Sequence, residues 1–166
     1  MGAKTAVSLE EYVRTSFPDL DKEFRDGAIV ERSLPDTLHS RTQILIAVFF
    51  ETLRKALPVF AYSELRLKLR EGLILIPDVC VYWPSRPVSR LPDVPPLVAI
   101  EILSPDDRLT AARAKLEEYR AWGVKHVWLV DPYLRRMYTC DAGLVEVESL
   151  KLAELDAELT AGDIFE

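Results

Sequence analysis

Cysteine is scarce in this 166-residue chain: only Cys80 and Cys140 occur, with no C-x-x-C spacing between them. Neither a zinc ribbon nor a disulfide framework is indicated, and thiols set among strand-like residues read as buried and reduced. An excess of basic charge is missing too. Against 27 Asp and Glu stand 21 Lys and Arg, a net charge of −6 with a sequence pI near 5.1. Nothing in that balance announces a nucleic-acid or membrane-surface binder, so any such surface has to be local. No apolar run approaches the ~20 residues that cross a bilayer, and "MGAKTAVSLEEYV" has no basic region followed by an apolar core. The expectation is a soluble, cytoplasmic chain without a membrane partner. Also absent are G-x-x-x-x-G-K, G-x-S-x-G, H-E-x-x-H and a glycine-rich dinucleotide turn. These absences leave no motif for P-loop, α/β-hydrolase, zincin or Rossmann chemistry.

What remains is an ordinary globular balance, 49% hydrophobic and 29% charged, enough to bury a layered core in one domain spanning residues 1–166. Ser8 and Glu11 in "SLEEYV" form a capping box ahead of a short helix stopped by Pro18. Asp26-Gly27 in "EFRDGAIVER" is a hairpin turn. In "TLHSRTQILIAVFFETLRKAL", Ile44, Leu45, Val48, Phe49 and Leu53 recur at the helical period, and Pro58 ends that core helix. "VFAYSELRLKLREGLILIPDVCVYW" alternates from Leu65 to Leu69, turns at Glu71-Gly72 and returns as a nearly continuous apolar strand.

"PSRPVSRLPDVPP" holds five prolines and reads as a surface loop before the strand "LVAIEIL". "SPDDRLTAARAKLEEYRAWGV" is a helix closed by Gly123, "HVWLVDP" another buried strand, and "RRMYTCDAGLVEVES" a hairpin turning near Ala142-Gly143. The order predicts an α/β or α+β fold, a central mixed sheet flanked by helices with extra hairpins at both ends.

Within those buried strands stand two carboxylates, Asp78 in "LILIPDVCVYW" and Glu101 in "LVAIEIL". A buried charge normally finds a partner, shifts its pKa or binds a cation. Taken singly, Asp78 after Pro77 also suits a turn or bulge, and Glu101 a structural bridge to an arginine. In the following helix Leu109, Ala112, Leu116 and Tyr119 form the apolar face, and Lys115 lies in an adjoining row with Ala111, Tyr119 and Trp122. That lysine either leans toward the sheet or snorkels to water. Two carboxylates on neighbouring strands with an inward lysine is the set metal-assisted phosphodiester hydrolysis needs. The oxygens hold Mg²⁺ or Mn²⁺, and the ammonium orients water or neutralises developing charge.

"IPDVCVYW", "LVAIEILSP" and "KLEEYRAWGVKHVWLVDP", with "DGAIVERSLPDTLHS" upstream, together resemble the bacterial Uma-type family of restriction-endonuclease-like proteins, within the PD-(D/E)xK nuclease superfamily. The resemblance runs from about Leu9 to Pro132 and is weaker in the tail. It implies a restriction-endonuclease-like core with Asp78 and Glu101 as metal ligands and Lys115 as the catalytic lysine. The superfamily places its lysine two residues after the glutamate, where this chain has Leu103; in this family it is relocated to the next helix, which Lys115 fits. The aspartate that members often carry one helical turn before that lysine is replaced by Ala111.

Two further residues match the family's pattern, Glu64 in "SEL" as an added carboxylate and His39 before the long helix; each equally suits a solvated charge or a helix cap. His126 has no partner at ligand spacing. Arg66, Lys68 and Arg70 alternate with leucines as on a half-exposed strand. The expected activity is metal-dependent cleavage of DNA, by a homodimer if both strands are cut. Two alternatives stay open: a binding or regulatory module on the nuclease fold, and a carboxylate-pair hydrolase of another substrate class, such as a glycosidase.

Overall fold

Turn chemistry builds the N-terminal layer. In the computed structural model, which describes residues 6–165, Ser8 and Glu11 close the expected capping box on α1 (Leu9–Arg14). Asp26 and Gly27 both take positive φ, the requirement of a tight two-residue turn, and join β1 (Glu23–Arg25) to β2 (Ala28–Val30). Residues 1–5, part of the N-terminal stretch read above for a leader, lie outside the described residues.

The long helix α2 (Thr37–Leu53) is capped by Asp36, whose side chain accepts from the His39 N–H at 2.9 Å. Its buried face is His39, Thr42, Ile46 and Phe50, with Leu45, Phe49 and Leu53 packed beside it. This corrects the sequence reading, because Ile44 and Val48 are about half exposed. A helix whose apolar residues cover more than one face does not reveal from periodicity alone which stripe meets the sheet.

The stretch from Val59 to Trp83 also differs. β3 (Phe60–Ser63) is a separate strand, while β4 (Leu67–Arg70) and β5 (Leu73–Leu75) form the hairpin expected at Glu71-Gly72. The returning strand then breaks at Ile76-Pro77-Asp78, and β6 (Val79–Tyr82) enters a different sheet. Pro77 has no N–H to give a ladder, which is where the continuous apolar run divides.

β7 (Val98–Ile102), α3 (Leu109–Trp122), β8 (His126–Asp131), β9 (Arg136–Thr139) and β10 (Val145–Val147) complete the main sheet. Its order is β10-β9-β8-β7-β6-β3. β7 pairs parallel with β8 and antiparallel with β6, so the sheet is mixed and β7 lies inside it, as its apolar run predicts. A second sheet has the order β2-β1-β5-β4, and β11 (Ser149–Leu152) pairs with β12 (Ala157–Thr160) ahead of a short α4 (Ala161–Ile164).

Helices cover both faces of the main sheet. Val79, Val81, Val98, Ile100 and Ile102 face α2 and the C-terminal hairpin, with Phe50 stacked near Trp128. Cys80, Tyr82, Ala99, Val127 and Leu129 face Leu116 and Tyr119 of α3. α3 starts later than expected, since Ser104–Arg108 form a turn in which the Asp107 side chain accepts from the Ser104 N–H at 2.6 Å. Leu109, at the helix start, is consequently exposed rather than core.

Candidate active site

Strand register brings the two carboxylates together. Val79 pairs with Ile100 in the antiparallel β6–β7 ladder, and continuing it one step sets Asp78 opposite Glu101. Glu101 faces Lys115 and Tyr119 of α3, while the Asp78 carboxylate lies at the end of the ladder, between Arg32, His39 of α2 and the β7 backbone. The Asp78 side chain also caps the end of this ladder, its Oδ2 accepting from the Ile102 N–H at 2.7 Å. Asp78 is 4% exposed. The reading of Asp78 after Pro77 as a turn or bulge residue with backbone hydrogen bonds matches this geometry.

Lys115 comes down from α3 onto Glu101. Its Nζ lies 2.8 Å from Glu101 Oε1 and 2.7 Å from Glu23 Oε1, and donates to the Ile76 carbonyl at 2.8 Å. It does not snorkel, for its side chain is largely buried. The Tyr119 hydroxyl, one helical turn on, donates to Glu101 at 3.0 Å. Ala111 contributes no acid to this group, yet the lysine is anchored by one. Glu23 reaches it from β1, itself pinned by accepting from the Ile76 N–H at 3.0 Å.

Asp78 faces a second set. Arg32, on the link from β2 to α2, donates from Nη2 to Asp78 Oδ1 at 3.0 Å, and His39 Nε2 stands 3.4 Å from the same oxygen. The other His39 nitrogen contacts Ser104 Oγ at 3.1 Å. Glu64, with φ of +51°, sits just after β3. Its carboxylate comes no nearer than Arg32, at 3.7 Å. Glu23, Arg32, His39, Asp78, Glu101, Ser104 and Lys115, with Arg108 and Ala111, line one open pocket of about 440 Å³, whose lining does not include Glu64.

Burial and crowding set the charges. Burial pushes the Glu101 carboxyl up to about 8; Lys115 opposes this, while Asp78 and Glu23 add to it. Burial acts on Asp78 in the same direction, but His39, Lys115 and Arg32 outweigh it and hold that carboxyl below its ordinary value. Lys115 is desolvated too, and the carboxylates of Glu101, Glu23 and Asp78 nevertheless hold its ammonium protonated. His39 is raised despite burial by its hydrogen bond to Asp78.

The donor chemistry fits a hard divalent cation. Mg²⁺ characteristically takes one or two carboxylates and leaves its other positions to water and substrate phosphate. Asp78 Oδ2 and the Glu101 oxygens retain lone pairs beyond the bonds described. Among the described residues no group of three or more His, Cys, Asp or Glu could hold a metal ion. Such a cation would have Asp78 and Glu101 as the carboxylates of this pocket's inner end to bind.

Of the residues singled out in the sequence, Asp78, Glu101, Lys115 and His39 meet in this pocket, and Glu64 touches the group through Arg32. Glu23, Arg32, Tyr119 and Ser104 were not read as site residues. Glu23 and Arg32 flank a hairpin, where charges are ordinarily solvated, and only the docking of that hairpin against the main sheet turns them inward. The one hint was Ala111, a missing acid for which a distant element compensates.

Family comparison agrees with this placement of the fold. The Uma2 family model, described as "Putative restriction endonuclease", matches residues 9–165. The chain belongs to that family. The Uma2 match extends beyond Pro132 through β11, β12 and α4, so the tail is part of the shared architecture. A crystal structure described as "a putative nuclease belonging to DUF820 from Anabaena variabilis ATCC 29413" superimposes with a TM-score of 0.81 at 20% identity. The match covers 96% of this Uma2 chain and 97% of that one. No curated protein matches.

Proposed function

We propose that this chain is a divalent-metal-dependent endonuclease hydrolysing DNA phosphodiester bonds. One observation carries the reading: Asp78, immediately before β6, and Glu101, on the neighbouring β7, line one open pocket, with Lys115 Nζ 2.8 Å from Glu101. Membership of the Uma2 family supports the nuclease class. Asp78 and Glu101 would hold Mg²⁺ or Mn²⁺, which when bound supplies Lewis acidity to a phosphate oxygen and to a water. Lys115 keeps an ammonium beside Glu101, where it hydrogen-bonds an attacking water or offsets charge developing on the phosphate. Glu23 and the Ile76 carbonyl fix the direction of that ammonium. Tyr119 orients Glu101, and His39 with Arg32 holds Asp78 ionised. A homodimer, with two such sites, would cut both strands in one encounter.

The test is cleavage of supercoiled plasmid with Mg²⁺ or Mn²⁺. Wild type should nick or linearise it, EDTA should abolish cleavage, and Asp78→Asn, Glu101→Gln and Lys115→Met should each lower the rate about 100-fold or more. No cleavage of plasmid, with hydrolysis of another substrate class such as a glycoside that survives EDTA, would instead point to a carboxylate-pair hydrolase. A second reading, a binding module on the nuclease fold, is favoured by the engagement of Glu101 with both Lys115 and Tyr119. It predicts no heat of Mn²⁺ binding in calorimetry of either wild type or Asp78→Ala.

A further inference from the structure

We propose that Arg32 is a phosphate-binding residue of this pocket, its Nη1 donating to a nonbridging oxygen of the phosphodiester held beside Asp78 and Glu101. The identity of the ligand rests on the nuclease reading; the anion site itself rests on the guanidinium. The Arg32 side chain is 9% exposed, and Nη2 is used on Asp78 Oδ1 at 3.0 Å. Nη1 is buried with no hydrogen-bond partner among the described residues. Its nearest carboxylate, Glu64 Oε2, stands at 3.7 Å, outside hydrogen-bond range.

A brace for Asp78 alone would present both arms to the carboxylate, the geometry in which a guanidinium pairs most strongly. Here the fork is split. One arm is committed and the other is desolvated and unmade, a cost that folding ordinarily removes. Carboxylates of Asp78, Glu101, Glu64 and Glu23 keep the group charged although it is buried. An anion arriving in the pocket therefore meets a donor already stripped of water and already fixed by its second arm. The planar fork suits one carboxylate and one phosphate oxygen at once, which a lysine does not reproduce. Since Arg32 shares the pocket with Lys115 and Glu101, the phosphate it takes is the one at the reacting position.

Binding, rather than cleavage, tests this. Fluorescein-labelled duplex DNA and single-stranded RNA are titrated by anisotropy in Ca²⁺ across a range of salt, with wild type, Arg32→Lys and Arg32→Met. Melting temperatures of the three are measured first. The expected result is binding weakened about 10-fold in Arg32→Met, with the slope of log affinity against log salt shallower by about 0.9 for the duplex or 0.7 for the single strand. Arg32→Lys should recover the slope but not the full affinity. A duplex carrying one neutral methylphosphonate at the cleaved position should bind wild type about 10-fold less tightly and Arg32→Met no less tightly than the unmodified duplex. That first comparison needs no variant, so it stands if Arg32→Met fails to fold. Unchanged affinity and slope in folded Arg32→Met, or indifference of wild type to the methylphosphonate, would overturn the proposal.

If wild type binds neither DNA nor RNA, the nuclease reading fails separately. Inorganic phosphate is then titrated by calorimetry, and binding by wild type that is weakened in Arg32→Lys and lost in Arg32→Met would retain the anion site. Equal binding by all three, or none by any, would overturn it.

Discussion

Glu101 is held in an environment that favours its protonated form, and that has measurable consequences. Burial first, with Asp78 and Glu23 adding to it, raises its pKa from 4.5 to about 8. An acid whose folded pKa lies above its unfolded value loses stability as pH rises from ~4.5 to ~8 and carries the full penalty above that window. Glu101→Gln should therefore flatten the dependence of melting temperature on pH across this range in the metal-free protein, with its advantage over wild type largest above pH 8. Binding of a cation requires the carboxylate form, so metal should displace a proton. Calorimetry of Mn²⁺ binding at pH 7, in two buffers of different ionisation enthalpy, should show release of up to about one proton per site. Equal heats in the two buffers would contradict either the metal reading or the raised carboxyl. Glu23 is the other side chain with a sharp expectation. Removing one partner of a buried ion pair typically costs ~3–5 kcal/mol. Because Lys115 keeps its hydrogen bonds to Glu101 and the Ile76 carbonyl, Glu23→Ala should fall at the low end, about 3 kcal/mol by urea unfolding.

At the level of single elements, α2 and the Val59–Trp83 segment show what one-dimensional patterns carry. The period of α2 marks a helix, yet the face that packs is centred on Ile46 and Phe50, not on Ile44 and Val48. Ile46→Ala and Phe50→Ala should each lower stability by about 2–5 kcal/mol, while Ile44→Ala and Val48→Ala should stay within about 0.5–1 kcal/mol of wild type. Thermal or urea unfolding of the four variants decides it. β7 was legible as an inner strand because it is apolar on both faces apart from Glu101. The break at Ile76-Pro77-Asp78 was not, since a proline inside an apolar run marks a boundary without saying which sheet each half joins.

Over the whole molecule, long-range ion pairs join parts that are far apart in sequence. Glu154, beside the C-terminal hairpin, pairs with Lys125 and His126 at the start of β8. The Lys125 hydrogen bond first, helped by His126 and opposed by burial, lowers its pKa from 4.5 to about 2. A carboxyl depressed on folding contributes stability present above ~4.5 and lost as pH falls through ~2. Glu154→Gln should accordingly narrow the stability difference between pH 5 and pH 2, read from melting curves. The same docking logic explains the site. β1 belongs to a sheet separate from β7, and Glu23 joins Lys115 only because that sheet's hairpin lies against the end of the main one.

The sequence by itself determined the class of fold, the inner position of the Glu101 strand, both major hairpin turns and the presence of buried carboxylates. Each of these follows from local chemistry: apolar period, turn residues with positive φ, and the cost of a charge among aliphatic neighbours. Tertiary structure alone decided which face of α2 packs, how the Pro77 break divides two sheets, and that Glu23 and Arg32 turn inward to Lys115 and Asp78. Those outcomes depend on contacts between elements far apart in sequence, which no spacing along the chain encodes. The pocket's electrostatics, with Glu101 raised and Asp78 lowered, arise from that assembly.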